Sequence, residues 1–90
     1  MGNLNIGWLV RHMGLFGSKM KRAVRDDIEE KIDDIQLNLE NNYRKPAAEA
    51  YKVALNALEN YRASDEIDDK NYNNYMEDLN EYKNKLIDYL

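Results

Sequence analysis

All four glycines of this chain, Gly2, Gly7, Gly14 and Gly17, fall within the first 17 residues, and none occurs from Ser18 to Leu90. Each glycine costs a helix interior about 1 kcal/mol relative to alanine, because it surrenders the most backbone freedom on folding. The shift in composition therefore marks a boundary between a pliable leader, residues 1–17, and a body, residues 18–90, built from helix formers.

Helical periodicity runs through the body. Met20, Val24, Ile28, Ile32, Ile35, Leu39 and Tyr43 recur every three or four residues, one stripe of a long helix expected over about residues 18–43. Asp27 precedes Lys31 by four residues, the favourable order for a helical ion pair, while Arg22 with Asp26 and Arg25 with Glu29 stand in the reverse order. The single proline, Pro46, suits a first helical position and disfavours helix just before it. A turn is expected at 42–45 and a second helix over about 46–63, with Ala47, Ala50, Tyr51, Ala54, Leu55, Leu58 and Tyr61 on its inner face. Alanines on that face let a neighbouring helix approach closely.

Asp68 is a good N-cap candidate, and Ile67 before it can staple onto Tyr72 at the fourth helical position. A third helix follows, about 69–90, whose seam of Tyr75, Leu79, Tyr82, Leu86 and Tyr89 is half tyrosine. Short connections make neighbouring helices antiparallel. The fold class expected is all-α: an antiparallel three-helix bundle with an N-terminal amphipathic segment.

A core this small sustains a few kcal/mol of stability at most. Leu, Ile, Val and Phe supply 20 of the 90 residues, so the seven tyrosines must extend the apolar surface from the rim of the core or from an interface. Self-association is one way to add buried area.

Charge divides as unevenly as glycine. Residues 1–25 carry five cations and no acid, whereas residues 26–90 carry eight cations against seventeen acids, a net −9. An acidic body repels phosphate, so no nucleic acid is expected to bind it. Cations near the N-terminus of the first helix oppose its macrodipole. Either that helix starts earlier, near Leu4, or the cations answer to a partner.

Leu4, Trp8 or Leu9, His12 or Met13, Phe16 and Met20 recur at three- and four-residue intervals through the leader and into the body, with cations close behind. The candidate contacts with a membrane or partner are Trp8, Leu9, Arg11, Met13, Phe16, Lys19, Lys21, Arg22 and Arg25. Three readings of the leader stand: docking on the bundle, lying on an anionic membrane, or binding nucleic acid or an acidic protein partner, unless it is simply a mobile segment. Met13-Gly14-Leu15-Phe16-Gly17-Ser18 matches the loose myristoylation pattern, but internally, so it matters only if translation starts at Met13.

Catalytic and metal chemistry find little material. There is no cysteine and no threonine, one histidine (His12) and two serines, so no nucleophile stands beside a base in any recognisable spacing. Asp26, Asp27, Glu29, Glu30, Asp33 and Asp34 are expected to form a solvated face rather than a divalent-cation site, and Asp65, Glu66, Asp68 and Asp69 lack the spacing of a calcium loop. No cofactor and no enzymatic activity are expected. The apolar run Ile6–Val10 is followed, not preceded, by cations and is far shorter than a membrane span, which points to a cytoplasmic protein. The function expected is a small non-catalytic protein-interaction module, acting on a protein partner or by self-association. The alternative is a peripheral membrane protein anchored by the basic amphipathic leader.

Overall fold

The computed structural model describes residues 20–90. Three helices form it: α1 (Arg22–Glu40), α2 (Arg44–Ala63) and α3 (Asp69–Lys85), the last followed by a single 3-10 turn, Ile87–Tyr89. The division at residue 17 and the helical periodicity of the leader lie outside the described residues.

The all-α antiparallel bundle is as expected, and hydrogen bonds between helices fix its directions. Tyr61 near the end of α2 donates to Asp27 near the start of α1 (2.7 Å), and Tyr72 near the start of α3 donates to Glu59 late in α2 (2.9 Å). Tyr75 and Tyr82 of α3 donate to Glu29 and Gln36 of α1, both at 2.9 Å. The two α1–α3 bonds advance together along both helices, so α1 and α3 run parallel, with α2 antiparallel to each. The chain goes up, down and up.

The expected stripes converge on one core. Ile28, Ile35, Ala47, Leu58, Leu79 and Leu86 are all but fully buried, joined by Met20, Val24, Ile32, Ala50, Tyr51, Ala54 and Ile67. The α1–α2 pair is the closest in the bundle, consistent with the alanines Ala47, Ala50 and Ala54 on the inner face of α2. Ala48, which the periodicity did not single out, is also buried. α3 buries only Leu79 within its length and leans on the core through partly buried Tyr72, Tyr75, Met76 and Tyr82.

α2 closes at Ala63 and α3 opens at Asp69 as expected, whereas the other four helix ends depart from expectation. α1 is shorter than 18–43. It opens at Arg22 after an extended Lys21 (φ −72°, ψ 156°), so it does not run on from upstream, and it closes at Glu40. There Asn42 takes a left-handed conformation (φ 62°), its N–H bonding the Leu39 carbonyl while the Tyr43 N–H reaches back to that of Asn38 (2.8 Å). This is a Schellman cap, and it throws Tyr43 out of the stripe to 58% exposure. α2 ends the same way at Asp65 (φ 61°), with Asp65 and Glu66 N–H groups bonding the Arg62 and Tyr61 carbonyls.

α2 starts at Arg44 rather than Pro46. A helix leaves its first N–H groups unbonded, so proline loses nothing at the third position either. α3 ends at Lys85 instead of running to 90, and Tyr89, expected on the seam, is largely exposed. Asp68 does sit at the N-cap of α3, but its carboxylate makes no bond to the backbone; it accepts from the Asn71 side chain at 2.6 Å. Ile67 and Tyr72 join the same apolar cluster, as a staple requires.

Candidate functional site

Of the candidate contact residues, Trp8, Leu9, Arg11, Met13, Phe16 and Lys19 lie outside the described residues. Lys21, Arg22 and Arg25 are described, and all three are exposed at the start of α1. No acid stands in that first turn, and Lys21 provides no side-chain cap. The three cations therefore face the positive end of the helix dipole. Of the three helical ion pairs expected, only Asp27 with Lys31 closes; Arg22 and Arg25 close none within the described residues, and Glu29 instead accepts from Tyr75.

Asp27 is the most tightly held carboxylate. Its Oδ1 accepts from the Lys31 ammonium and its Oδ2 from the Tyr61 hydroxyl, and these bonds, Lys31 first and Tyr61 next, hold its pKa below the ordinary 3.8. On the other side of the exchange, the bond to Asp27 raises the Tyr61 hydroxyl above its usual 10.0. For Tyr75 the largest cause of an upward shift is burial, followed by its bond to Glu29.

A second feature was not visible in the periodicity. Leu37 of α1 and Val53 of α2 lie off the core stripes and are 56% and 53% exposed. They line a shallow depression of about 710 Å³ on the outer face of α1, together with Glu30, Asp33, Asp34 and Glu40. Counting from the Asp27–Tyr61 bond at 1.5 Å per residue, Leu37 lies about 15 Å up α1 and Val53 about 12 Å back along α2, so the antiparallel hairpin brings them to similar levels. Lys31 also borders the depression, but its ammonium is drawn to Asp27. Glu40 is oriented by a relay in which Tyr82 donates to Gln36 and Gln36 donates to Glu40 at 3.1 Å. Glu30, Asp33 and Asp34 close no ion pair within the described residues. The signal in the sequence would have been two isolated apolar residues in otherwise polar faces of facing helices.

Among the described residues no charged or polar side chain is buried, and no three acids or histidines converge on a common point. No helix among them is long and apolar enough to cross a membrane. What the surface offers is contact chemistry: an apolar patch bordered by carboxylates of α1, and a cluster of cations at one helix start. Compared with protein-family models, with curated proteins and with solved structures, the chain matches none.

Proposed function

We propose that this protein is a small non-catalytic protein-interaction module that binds its partner through the face of α1 bearing Leu37, with Val53 of α2 alongside. The observation that carries this reading is the pair of half-exposed aliphatic side chains in one depression bordered by carboxylates of α1. Among the described residues Leu37, Val53, Ile87 and Leu90 are the large exposed aliphatic side chains, and Leu37 and Val53 line one depression, where exposed apolar surface is a cost in solubility that a partner would offset. Proximity labelling in the native cell, with the full chain beside a Leu37→Asn, Val53→Asn double variant, tests it. Both positions are exposed, so the variant keeps its fold, and it loses specific partners. An unchanged partner set would sink the reading.

A second reading, peripheral attachment to an anionic membrane on the cytoplasmic side, is favoured by Lys21, Arg22 and Arg25. They are exposed, without ion pairs within the described residues, and at the helix end where the dipole disfavours them. It requires co-sedimentation of the full chain with phosphatidylserine vesicles that weakens with salt. Glutamate at all three positions would abolish that binding, and binding that survives the change would remove these cations from the account.

A further inference from the structure

Resting on the interaction reading, we infer that the depression at Leu37 and Val53 receives a basic amphipathic helix of a partner protein. Its apolar part is two side chains, each more than half exposed, and its rim holds four carboxylates, Glu30, Asp33, Asp34 and Glu40. The one ammonium at the rim, that of Lys31, is already engaged by Asp27. Three of the rim acids have no ionic partner within the described residues, and the fourth is held in place by Gln36. All four acids belong to α1 and α2 adds only Val53, so the field over the patch is negative and the group that would complement it carries cations beside an apolar stripe.

Shape agrees with charge. From Glu30 to Glu40 the rim runs about 15 Å along α1, close to three turns of a helix laid beside it. Leucine, isoleucine or methionine at i, i+3 or i+4, and i+7 would meet Leu37 and Val53, and Lys or Arg on the flanks would reach the carboxylates. The same field tells against other occupants. Lipid headgroups and nucleic acid are anionic, and a second copy of this face presents the same four acids.

The test is an NMR titration of the uniformly 15N-labelled full chain with three synthetic 18-residue peptides. One is a Leu/Lys amphipathic helix, one its Leu/Glu counterpart, and one a Leu/Lys scramble without a stripe. The Leu/Lys helix is expected to shift the amides around Leu37 and Val53, to bind at least tenfold more tightly than the other two, and to weaken as salt rises. Its affinity should fall at least tenfold in Leu37→Asn, Val53→Asn, which keeps every acid, and also in Glu30→Gln, Asp33→Asn, Asp34→Asn, which keeps the apolar pair. Circular dichroism confirms that both variants stay folded. If the Leu/Glu helix binds equally well and the Leu37, Val53 variant abolishes both, the basic class is overturned while the interaction reading stands. Binding of every peptide that is indifferent to Leu37 and Val53 overturns both. Displacement of the Leu/Lys helix by an added peptide of residues 1–19 would assign the face to the chain itself and overturn the partner proposal.

Discussion

Asp27 is where a single residue does most to join two helices. It ties Lys31 one turn along α1 and Tyr61 across on α2, and both bonds favour its ionised form. In the unfolded chain the carboxyl titrates near the ordinary 3.8, and in the folded chain it titrates lower. Stability from this group is thus present above the unfolded value and is lost as pH falls through the folded one. At pH 7, Asp27→Asn should lower the unfolding free energy by about 1 kcal/mol, since a charge-assisted bond is weakened at a part-exposed site. The deficit should narrow as pH falls below the ordinary 3.8 and vanish once pH has passed the lowered folded value, where the native carboxyl is protonated too. Urea titrations of the two proteins across that range make the comparison. A deficit that persisted undiminished in acid would mean the loss is not electrostatic.

Helices were legible where apolar spacing dictates them and misread where local backbone chemistry does. The stripes Val24–Ile28–Ile32–Ile35 and Ala47–Ala50–Tyr51–Ala54–Leu58 reappear as core, because burial enforces the period. The end of α1 was harder to read, since a Schellman cap ordinarily announces itself by glycine and this body has none; Asn42 takes the left-handed position instead, as Asp65 does after α2, whose end at Ala63 falls where it was expected. Tyr43 was misplaced for that reason: it continues the spacing of α1, but the cap turns the chain before it. Of the candidate contacts, Lys21, Arg22 and Arg25 were legible from charge alone. Leu37 and Val53 were not, because one aliphatic residue in a polar face has no period to detect. The cap makes a direct prediction. A side chain with a Cβ is strained at φ 62°, and asparagine tolerates that strain better than most residues but not without cost. Asn42→Gly should raise the denaturation midpoint by the equivalent of about 0.5 kcal/mol, and Asn42→Val should lower it by about 1 kcal/mol or more. Equal midpoints for the two variants would show that the conformation carries no strain.

Across the whole molecule the three helices are not equally secured. α1 and α2 lie close, with small alanines on the inner face of α2 and aliphatic residues facing them, whereas α3 stands further off and spans the gap with tyrosine rings. The hydroxyls of Tyr75 and Tyr82 then finish the contact on Glu29 and Gln36 at part-exposed positions. Such an arrangement should open in steps, α3 first, and native-state hydrogen exchange measures the steps separately. Amides in the middle of α3, from Tyr75 to Tyr82, should exchange through an opening of lower free energy than those around Ile35 in α1 and Ala54 in α2. Two variants separate this order from a single cooperative unfolding. Tyr75→Phe with Tyr82→Phe removes two hydroxyl bonds, each worth about 0.5–1.5 kcal/mol, that are lost both when α3 opens and when everything unfolds. The free energies for α3 and for α1–α2 should therefore fall together, leaving the gap between them unchanged. Ala50→Gly weakens α2 itself by about 1 kcal/mol, and α2 stays helical when α3 alone opens. It should lower only the α1–α2 values and shrink the gap. If the amides of all three helices exchange with one free energy, and both variants move them equally, the bundle is a single unit and the tyrosine spacers hold α3 as firmly as the alanine seam holds α2.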